Sequence, residues 1–243
     1  MVLTPSEISQ KLVRVLPLVQ KPARYTGDEL NQVVKNWDSI ATHVALVFPD
    51  IYDIGMSNLG LAILYEVINQ RSDASAERVY NPWIDMEEAM RCEHIPLYSL
   101  ESRRPLTQFD IVGFSLPYET LYTNALNTLD LGGIPLFSSE RQETHPLIIA
   151  GGQNTFNPEP MHKFVDAFVI GEGEQVILEI IDAYAAWKQS RLSRQQLLIS
   201  LSSLSGVYVP SLYQVHYHQD NTIERMEKMP GREDRLISSC WRE

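Results

Sequence analysis

The side chains of this sequence that could do chemistry gather in four short stretches. They are Asp50 to Asn58 (DIYDIGMSN), Ser115 to Thr120 (SLPYET), Gly151 to Asn154 (GGQN) and Gly171 to Glu174 (GEGE). Each follows an apolar run and precedes a segment of helical spacing. Glycine there lets main chain close on a ligand, and the unpaired N–H groups of a helix start favour oxygen acceptors. Taken singly, such residues also build turns and helix caps. Four on one edge of a sheet point instead to a ligand crevice. Glu119, Glu159 and Glu172 are the carboxylates that could act as acid or base on a sugar or nucleotide held there, although nothing pairs them at a defined spacing. Asp85, Glu87 and Glu88 read as a solvated helix start.

Other chemistries find less support. His216 and His218 share a face of a predicted strand but have no third ligand, while His43, His94, His145 and His162 stand alone. The two cysteines, Cys92 and Cys240, are too few for a disulfide framework, a cysteine-rich zinc site or an iron–sulfur cluster. The pair Gly171-x-Gly173 lacks the third glycine of a dinucleotide fingerprint and follows the last predicted strand, not the first. Neither a Walker loop nor a G-x-S-x-G elbow occurs.

The elements that must position these stretches alternate strand and helix. Apolar runs at 42–50 and 110–115 predict the first and third strands, ERVYNPW at 77–83 can supply the second, PLIIAGG gives a fourth and DAFVIG a fifth. Helices are expected over 57–69, within 84–96, over 119–131 up to the Gly132-Gly133 pair, and after GEGE. The expected architecture is α/β, a parallel five-stranded sheet with helices on both faces joined by right-handed crossovers. A helical preface over 1–41, with Ile8, Leu12, Val15 and Leu16 at helical spacing, comes before the main domain at 42–189. Residues 190–243 read as a linker and a β-hairpin around HQDN, with Val207, Val209, Leu212 and Val215 forming an apolar face that needs cover.

The 243 residues suffice for a substantial core, and 44% hydrophobic with 21% charged residues is the composition of a globular protein. A net charge of -11 argues against non-specific nucleic-acid binding. No run approaches the roughly 18 apolar residues of a membrane span, and the N-terminus lacks the pattern of a signal peptide. A cytoplasmic protein with neither nucleic-acid nor membrane partners is expected.

The order Asp50-x-Tyr52-x-x-Gly55, then Ser115-Leu116, then Gly151-Gly152 resembles the corrinoid-binding Rossmann-like (flavodoxin-like) domain. It is most similar to the N-terminal cobalamin-binding-like domain of uncharacterised radical SAM proteins. The resemblance runs from about Pro22 to Glu174, through KPARYTGDELN, FPDIYDIGMSNLGLAILY, ERVYNPWIDMEEAMR, IPLYSLES, GFSLPYETLYTNALNTLDL, IAGGQNTFNPEP and GEGE. It implies a corrinoid, cobalamin, lying flat over the carboxyl edge of the sheet, with its nucleotide tail inserted beside the strands near Ser115, Gly151 and Gly152.

The implied cofactor-binding set is Asp50, Tyr52, Gly55, Met56, Ser57, Asn58, Ser115, Leu116, Tyr118, Glu119, Thr120, Gly151, Gly152, Gln153, Asn154, Gly171, Glu172, Gly173 and Glu174. Corrinoid domains of this kind carry Asp-x-His-x-x-Gly, whose histidine binds cobalt. Here Tyr52 takes that place, and a neutral phenol with a pKa near ~10 is a poor cobalt ligand, so a corrinoid would be held without protein histidine ligation. The resemblance also implies a partner in cis, a downstream radical SAM barrel whose three-cysteine motif holds a [4Fe-4S] cluster and S-adenosylmethionine. This chain alone would then be non-catalytic. The alternative is an interaction domain that has lost corrinoid and docks through its sheet edge.

Overall fold

A computed structural model describes residues 3–190 and 192–228; Cys240 and the rest of the tail lie outside the described residues. In chain order the elements are α1 (Pro5–Val15), β1 (Thr42–Phe48), α2 (Tyr52–Gly55), α3 (Leu59–Asn69), β2 (Ala74–Tyr80), α4 (Ile84–Glu93), β3 (Ile111–Ser115), α5 (Tyr122–Leu131), β4 (Leu147–Gly151), β5 (Ala167–Val169), α6 (Gly173–Gln189), α7 (Arg194–Leu201), β6 (Val207–Tyr208), β7 (Tyr213–Tyr217) and β8 (Ile223–Lys228). The main sheet runs β2-β1-β3-β4-β5-β6. Its first five strands are parallel and β6 is antiparallel to β5. This is the Rossmann-like α/β fold, in which strand order reverses between β1 and β3 and ligands gather at the carboxyl ends beside that reversal. Among the described residues no helix is long and apolar enough to cross a membrane.

Local sequence explains the central elements. β1, β3 and β4 are apolar runs buried on both faces, as parallel strands under two helical layers must be. α1 starts with a capping box between Thr4 and Glu7, and Asn58 caps α3 by accepting the Leu61 N–H at 2.9 Å.

The second strand lies three residues before its expected start, because its inward residues include Ser75, Glu77 and Arg78 and so do not read as apolar. Their partners come from distant chain. Glu101 accepts from the Arg78 main-chain N–H and from its Nε, both at 2.7 Å, and Glu77 accepts from the Ser102 hydroxyl at 2.6 Å. The preface closes the open side of β2, where Lys35 Nζ donates to the carbonyls of Asn69, Arg71 and Ala74. Covering the edge in this way removes unpaired strand groups from solvent.

At the other edge a sixth strand joins the five expected from sequence. Val207, Val209 and Leu212 are buried against the main sheet and do not form an exposed hairpin face. The hairpin proper begins at Tyr213 and turns at 218–221, as the HQDN signal indicates, with the His218 N–H bonded to the Thr222 carbonyl at 2.8 Å. β5 has only three residues, so its outer side takes a partner from the tail.

At the amino ends of β4 and β5, Asp166 stands between two guanidinium groups, 3.1 Å from Arg141 and 2.8 Å from Arg194. Arg194 is the first residue of α7, so this buried junction fastens the segment after α6 to the sheet.

His43, on β1, stacks on Trp37 at 3.5 Å and faces the Ser75 hydroxyl at 2.9 Å. Burial pulls its pKa down to about 4. An unfolded chain binds that proton near ~6.5, so the neutral ring stabilises the fold above ~6.5 and this stability is lost as pH falls toward about 4. Urea unfolding at pH 7.5 and pH 5.0 is expected to show about 1–2 kcal/mol of loss that a His43→Gln variant does not share. Equal loss in both proteins would remove His43 as the cause.

Candidate functional site

The carboxyl ends of β1, β3, β4 and β5 open into one slot of about 230 Å³ between α3 and α6. Leu46 enters from β1, Gly113 and Ser115 from β3, Ile149 from β4 and Val169 from β5, while Leu61 and Leu64 of α3 and Ile177 of α6 close the sides. The slot exists because side chains are missing where strands and helices would otherwise meet. A Cβ on Gly113 would sit 3.6 Å from Ile149 and 3.7 Å from Leu46, at the slot floor, and one on Gly173 would meet Leu64 at 3.6 Å. Glycine inside a strand marks such a close approach.

Gly152 has φ +109, and a Cβ there would lie 2.9 Å from the Leu116 carbonyl oxygen. That contact is enforced by hydrogen bonds, since the Leu116 N–H donates to the Gly151 carbonyl at 2.7 Å and the Asn154 N–H to the Leu116 carbonyl at 3.1 Å. The loops after β3 and β4 are thereby held together. Polar groups stand at the mouth, where the Ser115 side chain is half-buried and Glu172 and Glu174 are exposed. No side chain caps α6, which leaves its first-turn N–H groups open toward the mouth.

Seven residues of the sequence-derived set meet in this slot, namely Ser115, Gly151, Gly152, Gly171, Glu172, Gly173 and Glu174. Leu116 lies buried behind it, Asn154 donates to the Tyr122 hydroxyl, and Tyr118, Glu119, Thr120 and Gln153 are exposed on the same edge.

The stretch from Asp50 to Asn58 is elsewhere, folded as a tight turn over the end of β2. Tyr52 packs edge-on against Tyr80 at 5.6 Å and donates its hydroxyl to Glu29. Burial and that hydrogen bond push the phenol up to about 12, so it is neutral at ordinary pH. Gly55 is required by packing, since a Cβ would fall 2.4 Å from the Tyr80 ring. Asp50 accepts the Ile51 N–H at 2.7 Å, Met56 Sδ lies 3.5 Å from the Tyr80 hydroxyl, and Ser57 donates to the Ile54 carbonyl at 2.9 Å. None of Asp50, Tyr52, Gly55, Met56, Ser57 and Asn58 lines the slot.

The aliphatic walls escaped sequence reasoning because Leu46, Leu61, Leu64, Ile149, Val169 and Ile177 look like ordinary core. The available signal was Gly113 in an otherwise apolar strand.

The remaining candidates have structural partners. Asp85 accepts the Gln20 N–H at 2.6 Å, Glu87 pairs with Arg91 at 3.0 Å, and Glu159 accepts the Tyr208 hydroxyl at 3.0 Å. His216 pairs with Glu227 at 3.3 Å. Among the described residues no group of three or more His, Cys, Asp or Glu is placed to hold a metal ion. Large apolar side chains stand exposed in the carboxyl-edge segments, with Leu59 and Ile84 each 72% exposed beside Ile54, Trp83 and Tyr118.

Fold and site together define a Rossmann-like domain with an apolar ligand slot at the carboxyl edge of its sheet. Residues 60–210 match the family of N-terminal domains of radical SAM proteins, and the chain belongs to that family. The match takes in α7, β6 and the slot lining other than Leu46, and begins after Gly55. An uncharacterized protein of Methanocaldococcus jannaschii is 24% identical over 147 residues, covering 58% of this chain. The matched part spans 26% of that relative's length.

Proposed function

We propose that this chain is the corrinoid-holding module of a radical SAM protein. In this reading the slot takes the nucleotide tail of cobalamin, and the corrin rests on the carboxyl edge with no protein ligand to cobalt. The observation that carries the proposal is the slot itself, an apolar cleft kept open by Gly113, Gly151, Gly152 and Gly173 beside the strand-order reversal. A corrinoid supplies alkyl-transfer chemistry at cobalt when bound. The aliphatic walls exclude water from the tail, the Ser115 hydroxyl offers a hydrogen bond at the mouth, and exposed Leu59, Ile84 and Tyr118 offer apolar support to a macrocycle. Tyr52, neutral and committed to Glu29, supports a cobalt without tyrosine ligation.

The family supports a downstream barrel in cis as the holder of a [4Fe-4S] cluster and S-adenosylmethionine. We take the domain to run from α1 through β6, with β7 and β8 leading toward that barrel. The exposed edge residues favour the alternative of a docking domain that has lost corrinoid, and one titration separates the two readings.

Cobalamin added to the chain and followed by absorbance is expected to bind saturably, and Tyr52→Phe to bind within about twofold with an unchanged cobalt spectrum. No saturable binding up to about 100 μM would leave the docking domain as the reading. A changed spectrum in the variant would make Tyr52 a ligand.

A further inference from the structure

We infer that the slot selects among corrinoids by their tail, accepting an apolar methylated benzimidazole and discriminating against an adenine. This rests on the corrinoid reading and adds a specificity to it. The argument is one of unmet hydrogen bonds. Apart from Phe114, the apolar side-chain-bearing residues of the lining are aliphatic, namely Leu46, Leu61, Leu64, Ile149, Val169 and Ile177. The polar side chains of the lining are Ser115, Glu172 and Glu174, and the two glutamates are exposed at the mouth.

The uncapped first-turn N–H groups of α6 stand at the mouth with these glutamates, and in the interior the main chain offers little more. At the floor, Leu46, Gly113 and Ile149 are paired across β1, β3 and β4, and Ile149 is also paired with Ala167. At the upper edge, the Gly151 carbonyl accepts the Leu116 N–H, and the Gly152 carbonyl accepts from the Thr155 N–H at 3.0 Å and its hydroxyl at 2.8 Å. The same hydroxyl lies 2.8 Å from the Val169 carbonyl. A planar bicyclic ring carrying methyl groups gains contact with these walls and strands one ring nitrogen. An adenine brings an exocyclic amine and ring nitrogens that lose water and find no partner, which weakens binding roughly ten- to a hundredfold.

The experiment titrates the full chain with three corrinoids, read by absorbance and by quenching of tryptophan fluorescence: cobalamin, the adenine-tailed analogue, and cobinamide, which has no nucleotide base. Cobalamin is expected to bind tightest, with the adenine form weaker by roughly ten- to a hundredfold. Leu64→Asn, which sets an amide in a half-buried part of the wall, is expected to narrow that ratio. Equal affinity for the two tails would overturn the selectivity. Cobinamide binding as tightly as cobalamin would overturn the slot as the tail site yet leave the corrinoid reading standing. Failure of all three to bind would overturn that reading itself.

Discussion

Asp166→Ala is expected to cost about 3–5 kcal/mol of folding stability, a large share of what a domain of this size holds in reserve. The carboxylate is 1% exposed, between Arg141 at 0% and Arg194 at 8%. It also accepts the Ile148 N–H at 2.7 Å, at the entry to β4. Removing it leaves two buried cations facing each other and a strand N–H without an acceptor. Arg141 is otherwise held by the carbonyls of Pro135, Leu136 and Phe164, and Arg194 by those of His145 and Pro146, so neither can swing out to water cheaply. Because Arg194 opens α7, its release also loosens the segment that delivers β6 to the sheet. Urea denaturation followed by circular dichroism measures the effect. A loss below about 1 kcal/mol would show that the junction is not what fastens the tail.

Gly113→Leu is expected to lower cobalamin affinity at least about a hundredfold, or roughly 2.7 kcal/mol, by filling the slot from its floor. A Cβ at this position meets Ile149 and Leu46 at ordinary contact distances, so the first added carbon is tolerated and the branched end is what occupies the ligand space. Gly113→Ala serves as the companion variant, expected to keep the melting temperature of the parent and to lose affinity only severalfold. The absorbance titration reads the affinity, and a thermal melt confirms the fold. A leucine variant that is folded and binds as tightly as the parent would place the ligand elsewhere on the edge.

These two predictions rest on features that differ in how far sequence announces them. The loops carrying Ser115, Gly151, Gly152 and the Gly171–Glu174 turn are recognisable because small residues follow apolar runs and precede helical spacing. The structure brings all seven residues to one slot. The Asp50–Gly55 stretch has the spacing of a ligand-presenting loop but lies over the end of β2, where Tyr80 and Glu29 claim Tyr52. Those two residues lie 28 and 23 positions from Tyr52 in sequence, and no local pattern couples them.

Sequence alone determined the order of strands and helices, the parallel sheet under two helical layers, and the edge on which glycine-rich loops gather. Those properties follow from apolar periodicity and from turn and cap residues, which act over a few positions. Only the tertiary structure decided which apolar side chains wall a cavity and not a filled core, that β2 hides Arg78 and Glu77 behind Glu101 and Ser102, and that Val207 and Tyr208 complete the sheet. Burial of a charge and absence of a side chain from a contact depend on partners tens of residues away. A leucine facing a slot and a leucine facing another leucine look the same until the chain has folded.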